Sequence, residues 1–208
     1  MDLPDCVNAR DLGGTPLAGG ATIRMRALLR SDNHDLLTEA GIAAVRELGV
    51  GRIIDLRHGW EAREFPSPFV DDEIYRNLPL LGVYPGFDPT APDDYRPEVD
   101  HAPERVAAAF TAFAEAPPGP VLVHCHAGRD RAGIMTAIAL AVAGASHEAI
   151  VADYTATEGA EAKTMQDLLD HFDSEHGGVP AYLANGGVSP HHLTAVRERL
   201  TGVPGQDS

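Results

Sequence analysis

Val121-Leu-Val-His-Cys-His-Ala-Gly-Arg-Asp-Arg-Ala-Gly133 is the stretch from which the rest of the chain is read. Val121 to Val123 are apolar and follow the turn Pro117-Pro-Gly-Pro120, the pattern of a short buried strand. From Arg131 to Ala143 the residues are mostly small or aliphatic, which predicts a buried helix. Between strand and helix lies the step from Cys125 to Arg131, with Gly128 in its middle. A thiol at a strand end then lies under the amides of a helix N-terminus. Unpaired N–H groups and the positive end of the helix macrodipole coincide there, which makes the step an anion-binding nest. The same field, with Arg129 and Arg131 nearby, is expected to lower the Cys125 thiol from its ordinary value of about 8.5. A thiolate beneath a phosphate-sized anion site is the apparatus for phosphoryl transfer to sulfur. Cys-x5-Arg spacing also arises by chance, and a lone buried Cys is commonly an inert apolar residue. Strand context, the central Gly, the preceding His and the following helix together outweigh that.

The 208 residues, 44% hydrophobic and 23% charged, predict one globular domain over 1–208 with a full core. No apolar run approaches the roughly 20 residues of a membrane span. A net charge of −15 argues against nucleic acid or a stable association with anionic membrane. An anionic substrate must therefore be captured by local cations. Lys163 is the one lysine, so those cations are guanidinium groups suited to bidentate phosphate contact. Cys6 and Cys125 suggest no disulfide framework, and no basic-then-apolar leader opens at Met1; a cytoplasmic location is the expectation.

His124-Cys-His-Ala-Gly-Arg-Asp-Arg131 resembles the signature of the cysteine-dependent tyrosine phosphatases, and looks closest to their bacterial atypical branch. Arg129 stands where that branch usually has Lys, and Ala132 where it has Thr or Ser. Four other segments resemble the same branch in order: Asn8-Ala-Arg-Asp-Leu-Gly-Gly14 (with Ala9 for an aromatic), Arg30-Ser-Asp32, Arg52-Ile-Ile-Asp-Leu-Arg57 and Asp153-Tyr154. The resemblance implies an α/β fold with a central, twisted, mostly parallel sheet flanked by helices. It also implies hydrolysis of a phosphomonoester through a phosphocysteine, on a phosphorylated protein or a small nucleotide, sugar or inositol phosphate. Cys125 would be the nucleophile. Arg131 and the loop from His126 through Ala127, Gly128, Arg129 and Asp130 would bind the phosphoryl oxygens, without cofactor or metal. Relatives tend to carry the leaving-group acid just after the strand ending Leu78-Pro-Leu-Leu81, where this chain has Gly82. Asp130 is the favoured substitute, with Asp88, Asp93 and Asp94 as alternatives. Readings from other classes are a catalytically weak phosphate-binding module, or a sulfurtransferase or arsenate reductase using Cys6 as a second thiol.

Elsewhere, alternation over Thr22–Leu29 predicts a half-buried strand, Thr38 a cap for a helix over 39–48, and Ile74–Leu81 a further strand. The Pro- and Asp-rich segment 82–103 reads as an irregular acidic loop near the site, apart from the start of a helix over 104–115. Ser146 predicts a helix cap, with helices following over about 160–172 and 189–200 and a polar tail over 202–208. Arg10 and Asp11 are a possible pair, and Asp55 with Arg57 a structural one. His191-His192, like His124 and His126, lacks a partner cluster at zinc spacing.

Overall fold

The computed structural model describes residues 3–80 and 93–202. Its strands are β1 (Arg10–Asp11), β2 (Leu28–Ser31), β3 (Arg52–Asp55), β4 (Tyr75–Asn77) and β5 (Val121–His124). They form one sheet in the order β1-β2-β5-β3-β4, parallel except for β1 against β2. β2, β3 and β5 are buried along their whole length, as strands covered on both faces must be. Their register aligns Ser31, His124 and Asp55 across three neighbours. The chain segments leaving those residues therefore emerge side by side, at the carboxyl ends of the strands where open α/β sheets bind ligands.

Nine α-helices lie among the described residues: α1 (Glu39–Glu47), α2 (Gly59–Glu64), α3 (Arg96–His101), α4 (Pro103–Ala114), α5 (Asp130–Ala143), α6 (His147–Thr155), α7 (Ala162–His176), α8 (Val179–Asn185) and α9 (Pro190–Thr201). Alternate strand residues divide the core. Leu29, Ile53 and Leu122 pack with Val45 of α1, Phe69 and Tyr75. Leu28, Ile54, Val121 and Val123 join Phe110 and Phe113 of α4, Ile134 and Ile138 of α5, and the helices beyond. α5 is apolar nearly all round and accordingly runs through the core, ending at Gly144 in the left-handed conformation. Full burial of Ile134, Met135, Ile138 and Leu140 contributes about 1.5–3 kcal/mol each.

Several expectations need correction. The strand expected over Thr22–Leu29 begins only at Leu28: Arg26 has φ 59°, which no strand accommodates, and Met25 is 65% exposed. Thr38 occupies the N-cap of α1 but caps nothing with its side chain. Its N–H and Oγ1 both donate to Asp5 Oδ2, at 3.0 and 2.7 Å. Arg10 pairs not with Asp11 but with Asp153, at 2.7 Å, while Asp11 accepts from the amides of Gly13 and Arg26. Part of the segment read as irregular is α3. Pro97 sits in its first turn, where a missing N–H costs nothing, and Tyr182 Oη donates to Val99 O at 2.8 Å. Gly82 and Asp88 lie outside the described residues, as does the tail beyond Gly202. Of the strand expected over Ile74–Leu81 only Tyr75–Asn77 is formed among the described residues, and α2 and α8 are helices that the sequence reading did not expect. The helices expected over 39–48, 104–115, about 160–172 and 189–200, and the one after Ser146, are α1, α4, α7, α9 and α6, with Ser146 and Ser189 accepting from the amides of Ala149 and His192.

Candidate active site

The loop between β5 and α5 is shaped from beneath. The carbonyl of His126 accepts from the Asn33 amide at 2.9 Å. That of Ala127 accepts from Asn8 Nδ2 at 3.0 Å, and that of Gly128 from Arg30 Nη2 at 2.5 Å. In a trans peptide the N–H points opposite to the carbonyl it shares a plane with. Three carbonyls turned down onto the sheet therefore turn the amides of Ala127, Gly128 and Arg129 up. Gly128 makes this fold-back possible: its φ is +69°, and a Cβ there would lie 2.7 Å from Ser31 O. The donors come from the segments around Asn8 and Arg30, which gives both a physical role.

Arg30 is fully buried, and Asp153 of α6 balances it at 2.6 Å while also accepting from Arg10. Asp55 and Arg57 form the expected structural pair, both fully buried, and Arg57 Nη1 reaches Asn33 Oδ1 at 2.5 Å. His124 and His34 are stacked with ring centroids 4.0 Å apart, and burial lowers both below the ordinary histidine value. These rings are structural. His126 is exposed, edge-on to Phe65.

Cys125 is 2% exposed at the end of β5. The expectation of a lowered thiol is not met: burial pushes it up, and Asp130 adds to the rise. The Arg131 guanidinium and the amides of Ala132 and Gly128 act in the opposite direction. Arg131 acts against a neutralising partner, because Glu61 of α2 grips it with both oxygens, Nη1–Oε2 at 2.5 Å and Nη2–Oε1 at 3.0 Å. Burial disfavours the guanidinium's charge, and Glu61, Cys125 and Asp130 together outweigh it and raise Arg131. Glu61 is itself fixed by the His58 amide at 2.8 Å. Two of the five guanidinium N–H donors thus go to Glu61.

Asp130 and Arg129 stand at the rim of the loop. Asp130 Oδ1 accepts from Tyr95 Oη at 2.5 Å and from Arg129 Nε at 2.8 Å. Arg129 also reaches Asp93 at 3.0 Å, so its side chain lies among carboxylates while its amide faces the nest. Asp94 turns to Arg96 at 2.8 Å. Tyr95 is anchored a second time by Tyr154 Oη at 2.8 Å.

Sequence reading missed Glu61 and Glu98. Glu61 was visible only as one of many acidic residues, and its partner is 70 positions away. Glu98 lies in the segment read as irregular. Its Oε2 is buried without a hydrogen-bond partner among the described residues. Burial, with Asp130 and Asp93 adding to it and Arg131 opposing, pushes its carboxyl up to about 7.

A cysteine and an arginine with five residues between them in a nest of amides, on a mostly parallel sheet of this order, define a cysteine-based phosphatase. Comparison with known families agrees: residues 1–161 match the model of the tyrosine phosphatase family, and the chain belongs to it. A Cupriavidus necator protein carrying a tyrosine-protein phosphatase name is 29% identical over 204 residues, covering 92% of this chain and 71% of the relative. A tyrosine-protein phosphatase of Nostoc commune is 25% identical, covering 89% and 78%. The triple specificity protein phosphatase PtpB of Mycobacterium tuberculosis is 27% identical, covering 96% and 88%. The family places the chain with phosphatases rather than with sulfurtransferases or arsenate reductases. Among the described residues no helix is long and apolar enough to cross a membrane.

Proposed function

We propose that the chain hydrolyses phosphomonoesters through a phosphocysteine formed on Cys125, acting in the cytoplasm on a phosphorylated protein or a small phosphate ester. The observation that carries this reading is the set of inverted carbonyls under the loop, which aims main-chain donors at the space above the sulfur. In the first step the Cys125 sulfur, as thiolate, attacks phosphorus while the ester oxygen departs. The amides from His126 to Arg131 and the remaining Arg131 donors hold the non-bridging oxygens. Positioning and charge stabilisation supply most of the rate in such transfers. Water then attacks the phosphocysteine, releasing phosphate and regenerating the sulfur. Burial opposes ionisation of Cys125, so Arg131 and the amides of Gly128 and Ala132 are what favour the reactive form.

Asp130, at the rim, donates the proton to the departing oxygen in this reading. Glu98 is a specific alternative, since its raised carboxyl holds a proton close to neutral pH.

Cys125→Ser is the decisive variant. Release of phosphate from para-nitrophenyl phosphate should be lost while vanadate or phosphate still binds, because the amides and Arg131 remain. Undiminished turnover by this variant ends the proposal. A wild-type chain that binds phosphate but never releases it from an ester is a binding module.

A further inference from the structure

We propose that Asp100, His171 and His176 form a site for a divalent transition metal of the zinc class, clamping α3 to α7. Their ligand atoms all lie within 4.8 Å of one another. Nε2 of His171 is 2.9 Å from Asp100 Oδ1 and Nε2 of His176 is 2.8 Å from the same oxygen. Two imidazole nitrogens from one helix therefore converge on one carboxylate from another. Zinc bonds to nitrogen and oxygen are about 2.0–2.2 Å, which puts neighbouring tetrahedral ligands roughly 3.3 Å apart. Opening the cluster by about half an ångström would thus admit the ion in place of the hydrogen-bonding protons.

The rings are held in place by packing rather than by the carboxylate alone. His176 lies edge-on to Tyr182 with centroids 5.0 Å apart and tilted against Phe172 at 6.2 Å. His171 is edge-on to His176 at 5.3 Å. Asp100 is set by α3, whose Val99 carbonyl accepts from Tyr182 Oη. The histidine side chains are 15% and 23% exposed and that of Asp100 is 43% exposed, so an ion could reach the cluster from solvent. Two imidazoles and one carboxylate suit zinc and its neighbours, whereas magnesium and calcium favour oxygen ligands. The cluster shares no residue with the Cys125 loop, so the role is structural. Through Tyr95, which precedes α3 and bonds Asp130, a clamped α3 also steadies the rim of the phosphatase site.

The test uses the full chain carrying Cys125→Ser, so that the loop sulfur cannot serve as a ligand. After chelator treatment, zinc chloride is titrated by calorimetry and the melting temperature is followed with and without zinc. One ion per chain should bind and raise the melting temperature. His171→Ala and His176→Ala should each weaken binding at least about tenfold and abolish the thermal shift, whereas His191→Ala should change neither. His171→Gln guards against loss of fold: it can still hydrogen-bond Asp100 but is a poor zinc ligand, so it too should lose zinc. Absence of saturable binding in the parent overturns the site. So does undiminished affinity in His171→Gln and His176→Ala, which would put the ion elsewhere.

Discussion

Asp130 and Glu98 are two carboxyls in one electrostatic neighbourhood with different surroundings. Asp130 accepts from a phenol and a guanidinium; Glu98 has a buried oxygen that accepts from no described residue. With Asp130 as the acid, Asp130→Asn should lower kcat about 10²–10⁴-fold for a poor leaving group such as an alkyl phosphate, and little for para-nitrophenyl phosphate. If that loss instead follows Glu98→Gln, the role passes to Glu98. Activity on the poor leaving group should then decline as pH rises through about 7, where Glu98 loses its proton, and flatten in the variant. Folding favours the protonated form of Glu98, so its effect on stability is a decline from the ordinary carboxyl range up to about 7. Glu98→Gln removes that slope, which denaturation at pH 5 and pH 8 would show.

In the proposed mechanism the loop from Cys125 to Arg129 is the element on which the chemistry depends, and its turn is made at Gly128. A methyl group at Gly128 meets Ser31 O at 2.7 Å and Asp32 N at 2.8 Å, at a φ that disfavours any side chain. Gly128→Ala should cost about 1–3 kcal/mol of stability. It should also lower kcat/KM by about 10²-fold, through displacement of the amides and Arg131; calorimetry and steady-state kinetics check the two parts. The loop was legible in the sequence because strand, turn glycine and helix are contiguous there. α3 was not legible: proline and aspartate dominate the preceding run, and what stabilises the helix is the distant Tyr182 hydroxyl and burial of Val99. The direction of the Cys125 shift was not legible either. It depends chiefly on burial, which local spacing does not reveal, with Asp130 adding to the rise against Arg131 and the loop amides.

Across the whole molecule, the parallel sheet assembles groups that are far apart in the chain. Arg30 on β2, Asp153 on α6 and the Gly128 carbonyl meet in the interior, and Arg10 on β1 joins them. The resemblance marked these segments, but their pairing belongs to the fold. Asp153→Ala leaves the Arg30 cation buried without its counter-ion and should cost about 3–5 kcal/mol, read as a lower denaturant midpoint. Activity should fall with it even where the chain stays folded, because Arg30 would no longer be fixed beneath Gly128. The eight residues from His124 to Arg131 are consequently not a portable cassette. Transplanted between another strand and helix without the Arg30 cation, the Asn8 side-chain amide and the Asn33 main-chain N–H below, they would lose the scaffold that inverts their carbonyls, and an intact signature would bind no oxyanion.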